Sequence, residues 1–527
     1  CYKIEQNNNR NPKAGNMTST DIPVHQRFNA HELFLQADRL EPCVLVIFGA
    51  AGDLTRRKLI PALYNLVHEQ ALDEHFAVIG YSRRSQSDEQ YRAILFDGLK
   101  NYSRSQPIDD GVWQAFSKRI SYVEGNFEDP EGYVALRGAL EAVEQLIGSE
   151  GNRLFYFATP PSAAPVLLHR LSEAGLLQPG GAETPWTRVI MEKPYGRDLE
   201  SASELNRIVA EVLQEDQVYR IDHYLGKETV QNILVARLGN TIFEPLWNRK
   251  YIDHIQITAA ESIGVEGRGR FYDKTGVIRD MVQSHLLQVL SLCAMEPPVS
   301  FAADDIRDKR VEVLRSLRQF SSQEVLEHLV FGQYRGYRDE ENVDPQSRTP
   351  TYAAIKCYVD NWRWQGVPFF LRVGKHLVQR MTEISVVFRP VPLCLFGRDD
   401  VCQDLEPNVL TIRIQPDEGM ALKISSKRPG GEMEVGSVEM DFSYSETYTH
   451  PIKDAYERLL LDAVKGDATL FARRDEVEFA WRFVTPILDH WESAAKRQPV
   501  FYAEGSEGPG EADKLMDRYN RQWREIN

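Results

Sequence analysis

Cys43-Val44-Leu45-Val46-Ile47-Phe48 is an unbroken apolar run that passes straight into Gly49-Ala50-Ala51-Gly52-Asp53-Leu54. An apolar run of that length closed by glycine reads as a fully buried strand. Leu59, Ala62, Leu63 and Leu66 then recur at helical spacing within a helix expected around residues 53–70. Strand, glycine turn and helix together make a cradle for the pyrophosphate of a dinucleotide. Glycine lets the backbone come close, and the free N–H groups at a helix start point at the anion. A G-x-x-G turn alone serves equally well as a plain tight turn. What distinguishes this one is its place on the first strand of an alternating series, so Gly49, Ala50, Ala51, Gly52, Asp53 and Leu54 are the expected cofactor contacts.

Outward from that turn, apolar runs alternate with helical patterns: FAVIGY at 76–81, RLFYFATPP at 153–161, a helix at 162–175 and RVIMEKP at 188–194. Strands alternating with helices imply a parallel sheet covered on both faces. Beyond about residue 250 the period changes to two. Ala353/Ile355/Cys357/Val359, Ile384/Val386/Phe388, Leu410/Ile412/Ile414, Met420/Leu422/Ile424 and Val438/Met440/Phe442/Tyr444 set apolar side chains at alternate positions, the mark of antiparallel strands with one face on a core. The expected fold is α/β plus α+β: an N-terminal Rossmann-like parallel-sheet domain, then a C-terminal domain with a large antiparallel sheet and packed helices. The expected division is an unfolded extension over 1–35, a dinucleotide-binding domain over 36–221, and a substrate-binding and oligomerisation domain over 222–527. Residues 1–16 are polar and Asn-rich, Met17 opens a more ordinary sequence, and residues 335–352 read as a long loop.

The chain has 527 residues, 42% apolar and 26% charged, enough to build more than one core and too apolar for disorder. A net charge of -15 argues against nucleic acid as a partner and requires positive charge to be gathered locally if the ligands are anions. The cluster Arg56-Arg57-Lys58 is a candidate for that, and equally a solvated surface. Neither a long apolar stretch nor an apolar leader is visible, so no membrane is expected and a cytoplasmic protein is. Six cysteines without a C-x-x-C pair fit a reducing compartment. Cys394 and Cys402 are close enough for a redox pair, with buried or unreactive thiols the expected state.

The strand at 76–81 ends in Ser82-Arg83-Arg84, about where an NAD-dependent enzyme carries an acid for the ribose hydroxyls. A guanidinium suits the 2′-phosphate of NADP⁺ instead, so Arg83 is the expected discriminator. At 220–228 the chain reads Arg-Ile-Asp-His-Tyr-Leu-Gly-Lys-Glu, which gathers an acid, a histidine, a phenol and a lysine. His223, Tyr224 and Lys227 could share a phosphate while Asp222 orients a base; the same residues could also open an ordinary solvated helix.

With FGAAGDLTRRKLIPALYNL, GYSRR, MEKPYGRDL, RIDHYLGKE, ESIGVEGRGRFYDKTGVIRDMVQSHLLQ, LRVGKHL and EGPGEADKLM in hand, the chain resembles the glucose-6-phosphate dehydrogenase family from Val44 to about Met516. The resemblance implies NADP⁺ as cofactor, glucose 6-phosphate as substrate, and dimers or tetramers assembled through the large sheet. It matches His285 to the general base and Asp222 to its carboxylate partner, and His223, Tyr224 and Lys227 to the phosphate binders. Glu261, Asp280, Lys375, Arg380 and Gln415 match sugar contacts, and Lys193 lies between cofactor and substrate. On periodicity alone His285 is a core residue, sharing a stripe with Ile278, Met281, Val282 and Val289. Some family members hold a second, structural NADP⁺; here Arg372 and Lys423 could serve it, but Met381, Ser385 and Glu507 stand where cations are needed. The rival readings are a dehydrogenase preferring NAD⁺ or another hexose phosphate, and a silent NADP⁺-binding regulator.

Overall fold

The computed structural model describes residues 40–180, 185–396, 405–430, 434–448, 453–494 and 497–526. The expectations for residues 1–35, and for Cys402, lie outside them. Strands β1 (Cys43–Phe48), β2 (Phe76–Ser82), β3 (Ile120–Glu124), β4 (Arg153–Phe157), β5 (Thr187–Met191) and β6 (Val218–Ile221) form a parallel sheet. Its order, β6-β5-β4-β1-β2-β3, places β1 at the interior of the sheet, and Val44–Phe48 are wholly buried. That is why the strand could be apolar at every position: helices cover both faces.

A second, nine-stranded sheet is built of β7 (Ile252–Ala260), β8 (Leu329–Tyr334), β9 (Tyr352–Tyr358), β10 (Pro368–Gly374), β11 (Met381–Phe388), β12 (Val409–Gln415), β13 (Gly419–Lys427), β14 (Val435–Ser443) and β16 (Val500–Tyr502). The order is β14-β13-β12-β11-β7-β10-β9-β8-β16. It departs from a purely antiparallel sheet in two places: β10 runs parallel to β7, and β16 parallel to β8. Period-two patterning marks a strand and is silent on its direction, so these pairings had no local signal. The two-residue strand β15 (Phe471–Ala472) leaves the C-terminal half of the sequence to pair antiparallel with β6 in the first sheet. Glu41–Asn527 accordingly form one compact unit.

Cys43, Cys293 and Cys357 are buried free thiols, as expected. Cys394 is instead disulfide-bonded; it lies in the partly exposed segment after β11, outside the packing that shields the other three. Among the described residues no helix is long and apolar enough to cross a membrane.

Candidate active site

Strand β6 ends at Ile221, and the next six residues turn the chain toward the helix α2 (Glu228–Leu238). Asp222 organises the turn: its Oδ1 accepts from the Tyr224 amide at 3.0 Å and its carbonyl from the Leu225 amide at 3.0 Å. His285 comes from the second half of the chain. Gly276 (φ +64°, ψ 170°) breaks the helix Gly269–Val277, and the backbone resumes as a π-helical segment, Ile278–Leu286, before α3 (Leu287–Ala294). On an α-helix, residues five apart are offset by about 140°, whereas i→i+5 bonding returns them to nearly one face. Asp280 and His285 therefore both line one cavity of about 670 Å³.

Asp222 and His285 meet across 63 positions of sequence, Nδ1 to Oδ1 at 2.5 Å, and both are almost inaccessible. A carboxylate only accepts, so Nδ1 carries the proton and Nε2 keeps its lone pair. Lys193 occupies that lone pair, with Nζ 2.6 Å from Nε2 and 2.8 Å from the Asp280 carbonyl. The Lys193–Pro194 peptide is cis. The Tyr224 ring stacks on His285 with centroids 4.2 Å apart, and His223 meets it edge-on at 4.5 Å. Burial alone would raise the Asp222 carboxyl, but His285, His223 and Lys193 together hold it well below the usual carboxylate range. Burial keeps the His285 imidazole below its ordinary value, against the pull of Asp222. The pair is thus an ionised acid and a neutral base, the state in which Nε2 can take a proton. Asp222, His223 and His285 also bring possible ligand atoms within 4.8 Å of one another. The Asp222 and His285 atoms that face each other are already joined, which makes the arrangement a hydrogen-bonded dyad.

The remaining candidate residues line the same cavity in two groups. Lys227 and Arg380 both donate to Gln415 Oε1, Arg380 at 3.1 Å, and Gln415 Nε2 donates to Thr382 Oγ1 at 3.0 Å. Neither cation makes an ion pair among the described residues. Burial, with Arg380 beside it, pushes the Lys227 ammonium down to about 8. Two converging cations without a carboxylate partner are a ready place for a dianion. In the second group Lys375, nearly inaccessible, is paired to Glu261.

The glycine turn is shaped for close approach. A Cβ on Gly49 (φ +85°) would lie 2.3 Å from the Ala158 carbonyl oxygen, so only glycine brings the turn this near to the residue just past β4. The Gly49 and Ala50 amides are spent on Tyr81 O and the Gly52 amide on Gly49 O. That leaves the Ala51, Asp53 and Leu54 amides to face an anion at the helical start. Leu54 also lines the 670 Å³ cavity; Gly49, Ala50, Ala51, Gly52, Asp53 and Arg83 do not. Arg83, just past β2, is exposed and without an ion pair among the described residues. These features fit a dinucleotide with a 2′-phosphate. A second dinucleotide does not fit: Arg372 is buried, donating to Arg524 O at 2.6 Å, lying 3.4 Å from Glu507 and packed on the Trp523 ring, and Lys423 is paired to Glu406.

Sequence reasoning missed several residues at the cavity. Glu418, whose carboxyl burial raises to about 6, Lys453, Asp454 and Tyr456 all line it. Lys58, weighed only within a charged cluster, reaches Asp454 at 2.8 Å. The Q-P-D-E-G turn carrying Glu418 was the one available signal. Nothing local marks 453–456, which arrive there through packing.

A parallel-sheet dinucleotide fold joined to a buried His–Asp base over a cation-rich cavity defines a dinucleotide-dependent dehydrogenase. The comparisons with known proteins narrow that class. Residues 46–232 match the family description "Glucose-6-phosphate dehydrogenase, NAD binding domain" and residues 234–524 match "Glucose-6-phosphate dehydrogenase, C-terminal domain". The chain is 46% identical over 498 residues to the glucose-6-phosphate 1-dehydrogenase of Chlamydia muridarum (strain MoPn / Nigg), covering 92% of this chain and 97% of that protein. It is 45% identical over 496 residues to that of Aggregatibacter actinomycetemcomitans, covering 92% and 98%. A solved glucose-6-phosphate dehydrogenase in complex with its substrate glucose-6-phosphate superposes with a TM-score of 0.84 at 37% identity, over 92% of this chain and 99% of that one. The chain belongs to the glucose-6-phosphate dehydrogenase family.

Proposed function

We propose that this chain oxidises C1 of glucose 6-phosphate to 6-phosphogluconolactone with NADP⁺, the entry reaction of the oxidative pentose phosphate pathway. The observation that carries the reading is the proton-free Nε2 of His285, backed by Asp222, in the same cavity as Lys227 and Arg380, cations that make no ion pair among the described residues. NADP⁺ supplies the hydride acceptor. His285 Nε2 takes the C1 hydroxyl proton as hydride leaves C1, and the electrons of the broken O–H bond close the C=O of the lactone. Asp222 stabilises the imidazolium formed. Lys193 yields the position it holds on Nε2 to the substrate hydroxyl. Lys227, His223 and Tyr224 hold the phosphate; Glu261, Asp280, Lys375, Arg380 and Gln415 contact the sugar. An initial-rate assay with glucose 6-phosphate and NADP⁺, following absorbance of the reduced nicotinamide and repeated with NAD⁺, tests the reading; no turnover with either cofactor would end it.

Because the base must be neutral and burial holds His285 below its usual value, kcat/KM should be full near neutrality. It should fall as pH drops through a value below about 6.5, measured as the acid limb of the profile, and again as pH rises through about 8, where Lys227 loses the charge that holds the phosphate. Replacing Arg83 with alanine removes charge-assisted bonds worth roughly 1.5 to 3 kcal/mol, so KM for NADP⁺ should rise about 10- to 100-fold while that for NAD⁺ hardly moves.

The same proposal places dinucleotide binding in residues 36–221 and substrate binding and oligomerisation in 222–527, supported by the origin of strands β1 to β6 in the first part. Assembly to a dimer or tetramer is supported by the outer strand β14, where Val438 and Met440 stand about half exposed at 45% and 53%. Sedimentation of the protein against a Val438→Asp/Met440→Asp variant measures it. A cytoplasmic location is supported by the three buried free thiols, with the disulfide at Cys394 counting against it, and is checked by cell fractionation.

A further inference from the structure

Glu192 is a half-buried carboxylate that neither the dyad nor the substrate contacts account for. It stands at the end of β5, next to Lys193. Its Oε1 accepts two phenol hydrogen bonds, from Tyr156 of β4 at 2.6 Å and from Tyr456 at 3.2 Å. Tyr456 lies at the start of a helix, α4 (Ala455–Lys465), whose N-cap Asp454 is ion-paired to Lys58 at 2.8 Å. The two phenols thus approach from parts of the chain far apart in sequence, one from the parallel sheet and one from the C-terminal half.

A carboxylate taken out of water is costly unless it is hydrogen-bonded or paired, and two phenol donors with the neighbouring ammonium supply that compensation. The consequence for the chain is geometric. With Tyr156 and Tyr456 both donating to Oε1, the Glu192 side chain is restrained, and with it the residue that precedes Lys193. Below, Tyr195 reinforces the same segment, its hydroxyl donating to Met191 O at 2.6 Å and Ile221 O at 2.9 Å. The latter bond ties the Lys193 strand to the residue immediately before Asp222. Lys193 then reaches both Asp280 and His285 Nε2 from a segment held through the side chains of Glu192 and Tyr195.

We propose that Glu192, held by Tyr156 and Tyr456, is a positioning residue that keeps Lys193 beside His285, from where it gives up Nε2 to the substrate hydroxyl, and so governs turnover more than binding. This rests on the dehydrogenase reading above. It goes beyond it by assigning a function to a carboxylate that touches neither of the dyad residues. Glu192 acts through Lys193. A positioning error of that kind appears in kcat, because substrate and cofactor keep their own contacts while the reacting atoms lose alignment.

The test is a double-mutant cycle on the full chain, assayed with glucose 6-phosphate and NADP⁺. Wild-type turnover first establishes the parent reading, so that its failure and the failure of this proposal are separately visible. Glu192→Gln keeps the shape and one acceptor but removes the charge. Its kcat should fall about 10- to 100-fold, with KM for both substrates within about threefold and an unchanged melting temperature. In a Lys193→Ala background the same change should cost less than about twofold, since there is no longer an ammonium to position. Tyr456→Phe, which removes one phenol without disturbing the core, should lower kcat about three- to tenfold and supplies the answer if Glu192→Gln folds poorly. Wild-type kcat in both Glu192→Gln and Tyr456→Phe would overturn the proposal. So would a Glu192→Gln loss that persists in full without Lys193, because a purely structural role would not depend on that ammonium.

Discussion

His285→Asn is expected to lower kcat by roughly 10²- to 10⁴-fold while KM for glucose 6-phosphate stays within a few-fold of wild type. The asparagine side chain can still donate to Asp222 and fill much of the imidazole's space, so the cavity keeps its shape. What disappears is the lone pair at Nε2. Without it the C1 hydroxyl proton has no acceptor when hydride leaves, and the barrier rises by the full contribution of general-base catalysis. Binding is spared because the residues assigned to the phosphate and sugar, Lys227, Arg380, Gln415 and the Lys375–Glu261 pair, are untouched. Steady-state rates and an independent substrate titration check both halves. Full turnover in this variant would remove His285 from the reaction.

Lys227→Ala is expected to act in the opposite sense. Its ammonium is partly desolvated, depressed to about 8, and makes no ion pair among the described residues, so the site holds a half-buried cation suited to an anion. A bound phosphate supplies that anion. Removing the lysine should therefore weaken glucose 6-phosphate by about 100-fold or more, since hydrogen bonds to a charged group contribute roughly 1.5 to 3 kcal/mol each and one ammonium can make several. Unphosphorylated glucose has no dianion to lose and should change by less than about threefold. Comparing kcat/KM for the two sugars in wild type and variant isolates the phosphate contribution; equal losses on both would move the phosphate elsewhere.

Several features could be read without coordinates because they are local. The buried strand before Gly49, the alternation of strands with helices that follows it and the period-two strands beyond residue 250 were legible because side-chain periodicity marks an element directly; the buried face was not, since β9 is buried on both faces and the apolar face of β14 stands half exposed. The position of Arg83 just past β2 was legible for the same reason, as a fixed distance along one β-α-β unit. Resemblance then supplied roles for residues whose spacing alone also suited a solvated helix start or a core histidine. It did so for Asp222, Lys227 and His285, and every residue named as a substrate contact lines the one cavity.

Chain closure decided the rest. The Asp222–His285 hydrogen bond joins positions with no local relation, and only a fold that brings β6 beside the second-half helix makes it. The π-helical segment escaped the α-helical template, which would have turned Asp280 away from His285; no pattern of residue types in the segment encodes a register of i→i+5 bonds. Parallel pairing of β10 with β7, and the return of Phe471–Ala472 to the first sheet, were invisible because alternation marks faces and carries no direction. Glu192 and Tyr456 were passed over for a related reason. A carboxylate and a phenol far apart in sequence become one hydrogen-bonded unit only when the fold brings them together and takes away part of the water that would otherwise satisfy each of them.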